Sequence, residues 1–405
     1  MSVVRESTNT PGLRILGDCP VPVWGISSAE RLRRQVRAAG VDATGGLHGS
    51  VLLVRSDYVY DQRIINKLIA ARNTLLDATD GGASVPVAAH VDETHLDAAE
   101  RMLSGESLGA EEPSLQRVTA ETLAGAYIEE LLKTEAPVLR QLRPERRREI
   151  EKRLFDGSYK GVTDVVTKYV WPIPARWTVR LCSNVGIRPN HVTLVGLSCV
   201  FITTALFAFG WFGLGLVFAW LMTFLDTVDG KLARVTIDSS RLGHFLDKIV
   251  DIVHPPFWYL AWGIGLSSSS TPLPPEQFYT LLLVIFIGYT VGRLSEGAFS
   301  HLLAGFSIFT WQRFDSSFRM IMARRNPCLI VLTLALIVGR PDWGLILVAG
   351  WTVLSSAILL TRLFQGIYHR LTSGPLHPWL NTSRQSSPTT ELPAAPARSG
   401  RPTIA

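Results

Sequence analysis

Disulfide and zinc chemistry have little to work with in this chain. It carries 4 cysteines in 405 residues, Cys19, Cys182, Cys199 and Cys328, and no two form a C-x-x-C pair. Three of them lie in or beside apolar runs, where a free thiol packs as a small hydrophobe. Neither a disulfide framework nor a zinc site is expected. The opening residues lack the basic start and apolar core of a secretory signal. The charged stretches lack aromatic platforms and any nucleic-acid motif, which argues against a nucleic acid as partner. Lys and Arg are missing near Gly210 and throughout 267–276, an absence that later fixes an orientation.

What is present is unevenly spread. Hydrophobic residues make up 47% and charged residues 18% of the chain, with a net charge of +6. Residues 1–160 are mixed and charged, whereas 190–371 are largely apolar. Length allows two domains. Apolar runs at 191–210, 212–234, 243–266, 277–299, 318–339 and 343–366 predict six spans, since a helix needs ~20 residues to cross a bilayer. The expected fold is therefore an α-helical membrane protein, a six-span bundle, with an N-terminal soluble α/β domain. Arg241, Arg313, Arg319, Arg324, Arg325, Arg362 and Arg370 fall on one side of these spans, and only Arg340 falls on the other. By the positive-inside rule both termini face the cytoplasm, in an integral protein of the cytoplasmic membrane.

Between the second and third runs stands DTVDGKLARVTIDSSRLGHFLDKIVD, residues 226–251. Ionisable residues at a membrane surface are costly and point to function. Asp226 and Asp229 are three apart and Asp247 and Asp251 four apart, so each pair shares a helix face. Thr236, Asp238, Ser239 and Ser240 predict a turn between the two helices, which would bring the pairs together. Converging carboxylates suit hard divalent cations, Mg²⁺ or Mn²⁺. Two such ions would hold a diphosphate and neutralise a leaving phosphate. Gly230 and Gly243 remove bulk where a ligand or helix approaches, and Arg234 can donate to a phosphate. A cation transporter with acids lining an ion path also fits the raw pattern, but four acids at one membrane face, not at the midplane, argue against it.

The stretch resembles the signature of the CDP-alcohol phosphotransferase (CDP-alcohol phosphatidyltransferase) family, D-x-x-D-G-x-x-A-R, eight residues, then G-x-x-x-D-x-x-x-D. Asp226, Asp229, Gly230, Ala233, Arg234, Gly243, Asp247 and Asp251 fill every fixed position. The resemblance implies a metal-dependent membrane enzyme of phospholipid biosynthesis. It would pass a phosphoalcohol group, most simply phosphatidyl, from a CDP-alcohol to an acceptor hydroxyl and release CMP. Carried over by position, Asp226, Asp229 and Asp247 bind metal. Asp251 is the general base and a further metal ligand. Asp226, Asp229, Gly230, Ala233, Arg234 and Gly243 receive the CDP group. A homodimer, in contact with membrane lipids, is implied as well. A soluble CDP-polyol such as CDP-inositol is the alternative donor. Arg188-Pro189-Asn190-His191-Val192-Thr193 resembles the P-N-x-x-T start of the family's first span.

The flanks divide into an N-terminal domain at 1–142, a linker at 143–190, the membrane domain at 191–371 and a tail at 372–405. In the first, 27–40 reads as a helix capped by Ser27 and ended by Gly40. Residues 51–54 and 85–91 read as strands and 61–76 as a helix. This alternation predicts a parallel sheet. Residues 21–41 and 51–61 resemble nucleotidyltransferase domains, in which an Asp placed like Asp57 helps bind metal. No Gly-rich loop with a basic residue precedes them, only Pro11-Gly12-Leu13-Arg14. The domain is read as degenerate and dispensable for chemistry, with Asp57 a plain strand-end residue. In the linker, 143–153 reads as a charged helix. Aromatic and basic residues interleave at 158–190, which predicts an amphipathic helix at the headgroup level. The Pro-, Ser- and Thr-rich tail is expected to be disordered. Arg293 falls inside an apolar run near Glu296, Asp315, Arg319, Arg324 and Arg325. It is the candidate for an acceptor phosphate, against a reading as flanking positive charge.

Overall fold

A computed structural model describes residues 11–41, 49–80, 82–109, 113–238 and 241–381. The side chains of residues 80, 241, 242 and 244–250 are outside the description, and with them those of Arg241 and Asp247.

The N-terminal domain runs β1 (Gly12–Leu16), α1 (Ser28–Ala38), β2 (Ser50–Arg55), β3 (Tyr58–Tyr60), α2 (Gln62–Ala70), β4 (Thr74–Asp80), β5 (Ala83–Asp92), α3 (Leu96–Leu103), β6 (Gln116–Thr119) and α4 (Ala120–Ala124). Ser27 caps α1 by accepting the Glu30 N–H at 3.3 Å. The sheet order is β1-β2-β5-β4-β6. Pairing is parallel at β1–β2 and β4–β6 and antiparallel around β5. The expected parallel sheet is therefore a mixed one, because the short β4–β5 connection permits only antiparallel pairing. The helix expected over 61–76 stops at Ala70. Leu75 and Leu76, fully buried, belong to a strand, and a short apolar run does not distinguish the two by periodicity. Alternate strand residues serve opposite faces. Leu52, Val54, Leu76 and Ala88 pack with Leu32, Val36 and Ile65 from α1 and α2, while Val51, Leu53, Leu75 and Ala89 pack with Ala99 and Met102 from α3.

A small hairpin, β7 (Tyr127–Ile128) with β8 (Lys133–Thr134), and β9 (Leu139–Gln141), paired with β3, lead to α5 (Arg147–Gly157), α6 (Val165–Tyr169) and α7 (Pro172–Val185). Tyr169, Ile173, Trp177, Leu181 and Val185 are all exposed. Their four-residue spacing makes one apolar stripe, as an amphipathic helix requires.

Next come α8 (Pro189–Ala208), α9 (Phe212–Thr236), α10 (Arg241–Leu266), α11 (Pro275–Gly297), α12 (Arg313–Phe318), α13 (Arg325–Ile337) and α14 (Pro341–Thr372). Among the described residues four helices are long and apolar enough to cross a membrane: α8, α9, α11 with its π-helical extension to Ala304, and α14. The run expected at 318–339 begins only at Arg325 and gives a helix of 13 residues, ~20 Å at a helical rise, short of a ~30 Å core. Phe207, Phe212, Trp258 and Trp262 form the aromatic centre of the bundle. Gly265 is required there, since a Cβ would lie 2.0 Å from the Phe207 carbonyl oxygen. Pro255 and Pro256 lie inside α10, which runs on past them. They carry no N–H, which releases the carbonyls of Asp251 and Ile252 from the helical ladder. The Tyr289 hydroxyl donates to the Ile252 carbonyl at 2.8 Å. The start of the expected tail is packed: Leu376 is buried and the Trp379 N–H donates to the Thr310 carbonyl at 3.0 Å. Residues 382–405 lie outside the described residues.

Candidate active site

The C-terminal end of α9 carries Asp226, Asp229, Gly230, Ala233 and Arg234. Asp229 is buried, and the Thr193 hydroxyl of α8 donates to its Oδ2 at 2.6 Å. Buried carboxylates need such donors. Arg325, the first residue of α13, joins the two halves of the motif. Its Nη2 donates to Asp226 Oδ2 at 2.5 Å and its Nη1 to Asp251 Oδ1 at 2.7 Å. Carboxylates from α9 and α10 thus converge on one cationic group. A Cβ on Gly230 would meet only the Arg234 guanidinium, 3.5 Å away, so this helix face stays low. Lys231 and Arg234 both donate to the Ser158 carbonyl, at 3.2 and 3.4 Å, and the Lys231 ammonium lies 3.7 Å from the centre of the Tyr159 ring. Gly243 lies on α10. Asp247 lies outside the described side chains.

A second cluster adjoins the first. Glu296 pairs with Arg324 and, at 3.2 Å, with Arg293. The Arg293 guanidinium stands over the Tyr289 ring. Arg319 Nη1 and Arg324 Nε are buried without a hydrogen-bond partner among the described residues. Burial, then the neighbouring Arg324, pushes the Arg319 pKa down. Arginine nevertheless stays charged in proteins, so this cluster holds buried cationic donors that an anion would satisfy. Asp315 is used elsewhere, bound by Arg362 Nε and Nη2 at 2.6 and 2.7 Å.

Asp57 lies in the turn between β2 and β3 and accepts from Arg55 Nε at 2.9 Å, Arg55 Nη2 at 2.7 Å and Gln141 at 3.3 Å. The geometry is that of a strand-end ion pair. Pro11-Gly12-Leu13-Arg14 runs into β1, and Arg14 pairs with Glu100 at 2.7 Å.

The donor set suits a divalent cation. Asp226, Asp229 and Asp251 supply only oxygen, as hard cations require. The Arg325 guanidinium already occupies a point within bonding distance of two of these carboxylates, which shows that they can share one positive centre. Among the described residues no three His, Cys, Asp or Glu side chains are drawn together closely enough to hold a metal ion as they stand, and the fourth acid of the motif, Asp247, lies outside those side chains. Sequence reading missed Thr193 and Arg325. Thr193 stood in the P-N-x-x-T segment, and Arg325 passed for flanking charge.

The family model for CDP-alcohol phosphatidyltransferase matches residues 187–296. An archaetidylinositol phosphate synthase of Pyrococcus horikoshii is 34% identical over 73 residues, 17% of this chain and 37% of that protein's length. The chain therefore spans little more than a third of that curated relative. A solved structure of Mycobacterium tuberculosis phosphatidylinositol phosphate synthase with CDP-DAG bound is similar at 18% identity, covering 49% of this chain and 94% of its own, with a TM-score of 0.37. The match to the CDP-alcohol phosphatidyltransferase model bears out the resemblance read from the sequence over residues 187–296, the stretch that contains every position of the acidic motif.

Proposed function

We propose that this protein transfers a phosphoalcohol group from a CDP-alcohol to an acceptor hydroxyl and releases CMP. The observation that carries the reading is the convergence of Asp226 and Asp251 on one cationic group, inside the matched stretch. Asp226, Asp229, Asp247 and Asp251 would hold Mg²⁺ or Mn²⁺, which supplies charge neutralisation on the diphosphate. Gly230 and Ala233 leave room for the cytidine, and Gly243 does the same from α10. Arg234 donates to the departing phosphate.

The acceptor hydroxyl gives its proton to Asp251, its oxygen attacks the β-phosphorus, and the bond to the CMP oxygen breaks. Asp251 suits this role because its side chain is 46% exposed, against 22% for Asp226. Arg325 occupies Asp251 Oδ1, so for that oxygen to receive the proton Asp251 must part from Arg325. A lipid donor such as CDP-diacylglycerol is supported by the site's place at the ends of long apolar helices. A phosphorylated acceptor is supported by the buried donors of Arg319 and Arg324 beside Arg293, and by the product named for the Pyrococcus relative. In this reading the site and both termini face the cytoplasmic side of the membrane, and the protein works as a homodimer. Purified protein in liposomes, given Mg²⁺ or Mn²⁺ and a panel of CDP donors and acceptors, should release CMP with a phosphodiester detected by mass. Metal-independent CMP release, or none with any donor, would refute the reading.

A further inference from the structure

Sequence alone gives the N-terminal domain no part in the chemistry. We propose that it clamps the motif helix, with Arg31 and Arg34 of α1 as positioning residues for the transfer. The kinetic part of this inference rests on the phosphotransfer reading.

The α9 helix ends at Thr236, seven residues after Asp229, and the carbonyls of its last turn, Val235 and Thr236 among them, lack a full set of helical partners. Arg31 Nη1 donates to the Val235 carbonyl at 2.7 Å and Arg34 Nη1 to the Thr236 carbonyl at 3.0 Å. Three residues apart on α1, they share one face. Cations at a helix C-terminus are also favoured by the helix dipole. Arg31 is 5% exposed, so its place is fixed by packing. The α1 helix cannot shift alone, because Gln35 Nε2 donates to the Tyr60 carbonyl at 2.8 Å and Ser28 to the Ser56 carbonyl; Glu30, one turn away on the same helix, orients Arg34 at 2.9 Å.

The helix they hold needs holding. Ile237, which follows it, has φ +50°, a left-handed conformation that is costly for a β-branched residue. The Asp238 N–H turns back to the Ala233 carbonyl at 3.1 Å. Val21, Val23, Trp24 and Val59 of the N-terminal domain share one core cluster with Val228, Leu232 and Val235 of α9. Val228 directly precedes Asp229. The clamp therefore fixes the tilt of a helix whose acids lie about 9–15 Å along the axis from the arginine contacts.

The test uses the full chain in liposomes with Arg31→Ala, Arg34→Ala, the double variant and Arg34→Lys. Hydrogen exchange of a peptide covering 234–238 is read beside peptides of the β2 strand, together with kcat and the donor KM. The clamp predicts faster exchange at 234–238 with β2 unchanged. It predicts a kcat lower by ~10- to 100-fold, as misplacement near 1 Å produces, with a donor KM within ~3-fold. Arg34→Lys should recover most of the loss, since a cation at the helix end remains. Should Arg31→Ala fail to fold, Arg34→Ala decides alone, as Arg34 is only partly buried. Unchanged exchange at 234–238, or exchange rising equally in β2, would overturn the clamp. If wild-type protein releases no CMP, the phosphotransfer reading falls, and the exchange comparison alone decides the clamp.

Discussion

Replacing Arg325 by Met separates its structural role from the role of a divalent cation. Its side chain is 15% exposed and bridges Asp226 and Asp251. Removing one partner of a buried ion pair costs ~3–5 kcal/mol. Asp251 is nearly half exposed, so that half of the bridge is screened and adds little. We expect a loss of about 3 kcal/mol without metal, mostly from Asp226, which would lower the melting temperature by roughly 6–10 °C. A divalent cation can then take over the neutralisation. At 100 times its dissociation constant a ligand stabilises by ~2.7 kcal/mol, and in the variant it meets no competing guanidinium. Mg²⁺ should therefore raise the melting temperature more in Arg325→Met than in wild type. The assay is thermal unfolding in detergent with EDTA or Mg²⁺, read by fluorescence-detected gel filtration. Equal Mg²⁺ shifts in both proteins would refute a shared cationic centre.

Asp251→Asn should lower kcat by ~10²–10⁴-fold while leaving directly measured donor binding largely intact; full turnover would assign the base elsewhere. Thr193→Val removes the hydroxyl that donates to buried Asp229. It should cost ~1–3 kcal/mol in thermal stability and weaken metal activation, and an unchanged Mg²⁺ requirement would count against it. Arg293→Ala should raise the KM for a phosphorylated acceptor more than it lowers kcat, and kinetics with and without the acceptor phosphate check this. The full chain given CTP, Mg²⁺ and polyol phosphates should release no pyrophosphate above an Asp57→Ala control, because Asp57 is engaged by Arg55 and Gln141.

The acidic motif was legible because its spacing is local: three or four residues place two side chains on one helix face. The α1 helix was legible for a similar reason, since Ser27 and Gly40 mark its ends. Arg325 was not. It meets Asp251 and Asp226 across 74 and 99 residues, and no periodicity reports a contact of that range. The arginines of α1 look in sequence like a solvated basic face, whereas Arg31 is buried against α9. The strand at 74–80 was missed because its two leucines continue the apolar spacing of the helix before it. Its place in the sheet depends on partners that arrive later in the chain.

The paired prolines of α10 have a mechanical consequence. With the carbonyls of Asp251 and Ile252 released from the ladder, the helix, continuous over Arg241–Leu266, is weakest there and can bend as two rods. One rod ends in Asp251. The other is anchored by Trp258 and Trp262 in the aromatic centre. Tyr289 grips the joint from α11, one helical turn from Arg293. The acid-bearing rod can therefore swing Asp251 towards or away from Arg325 while the anchored rod stays packed, and the position of Tyr289 ties that swing to whatever Arg293 binds.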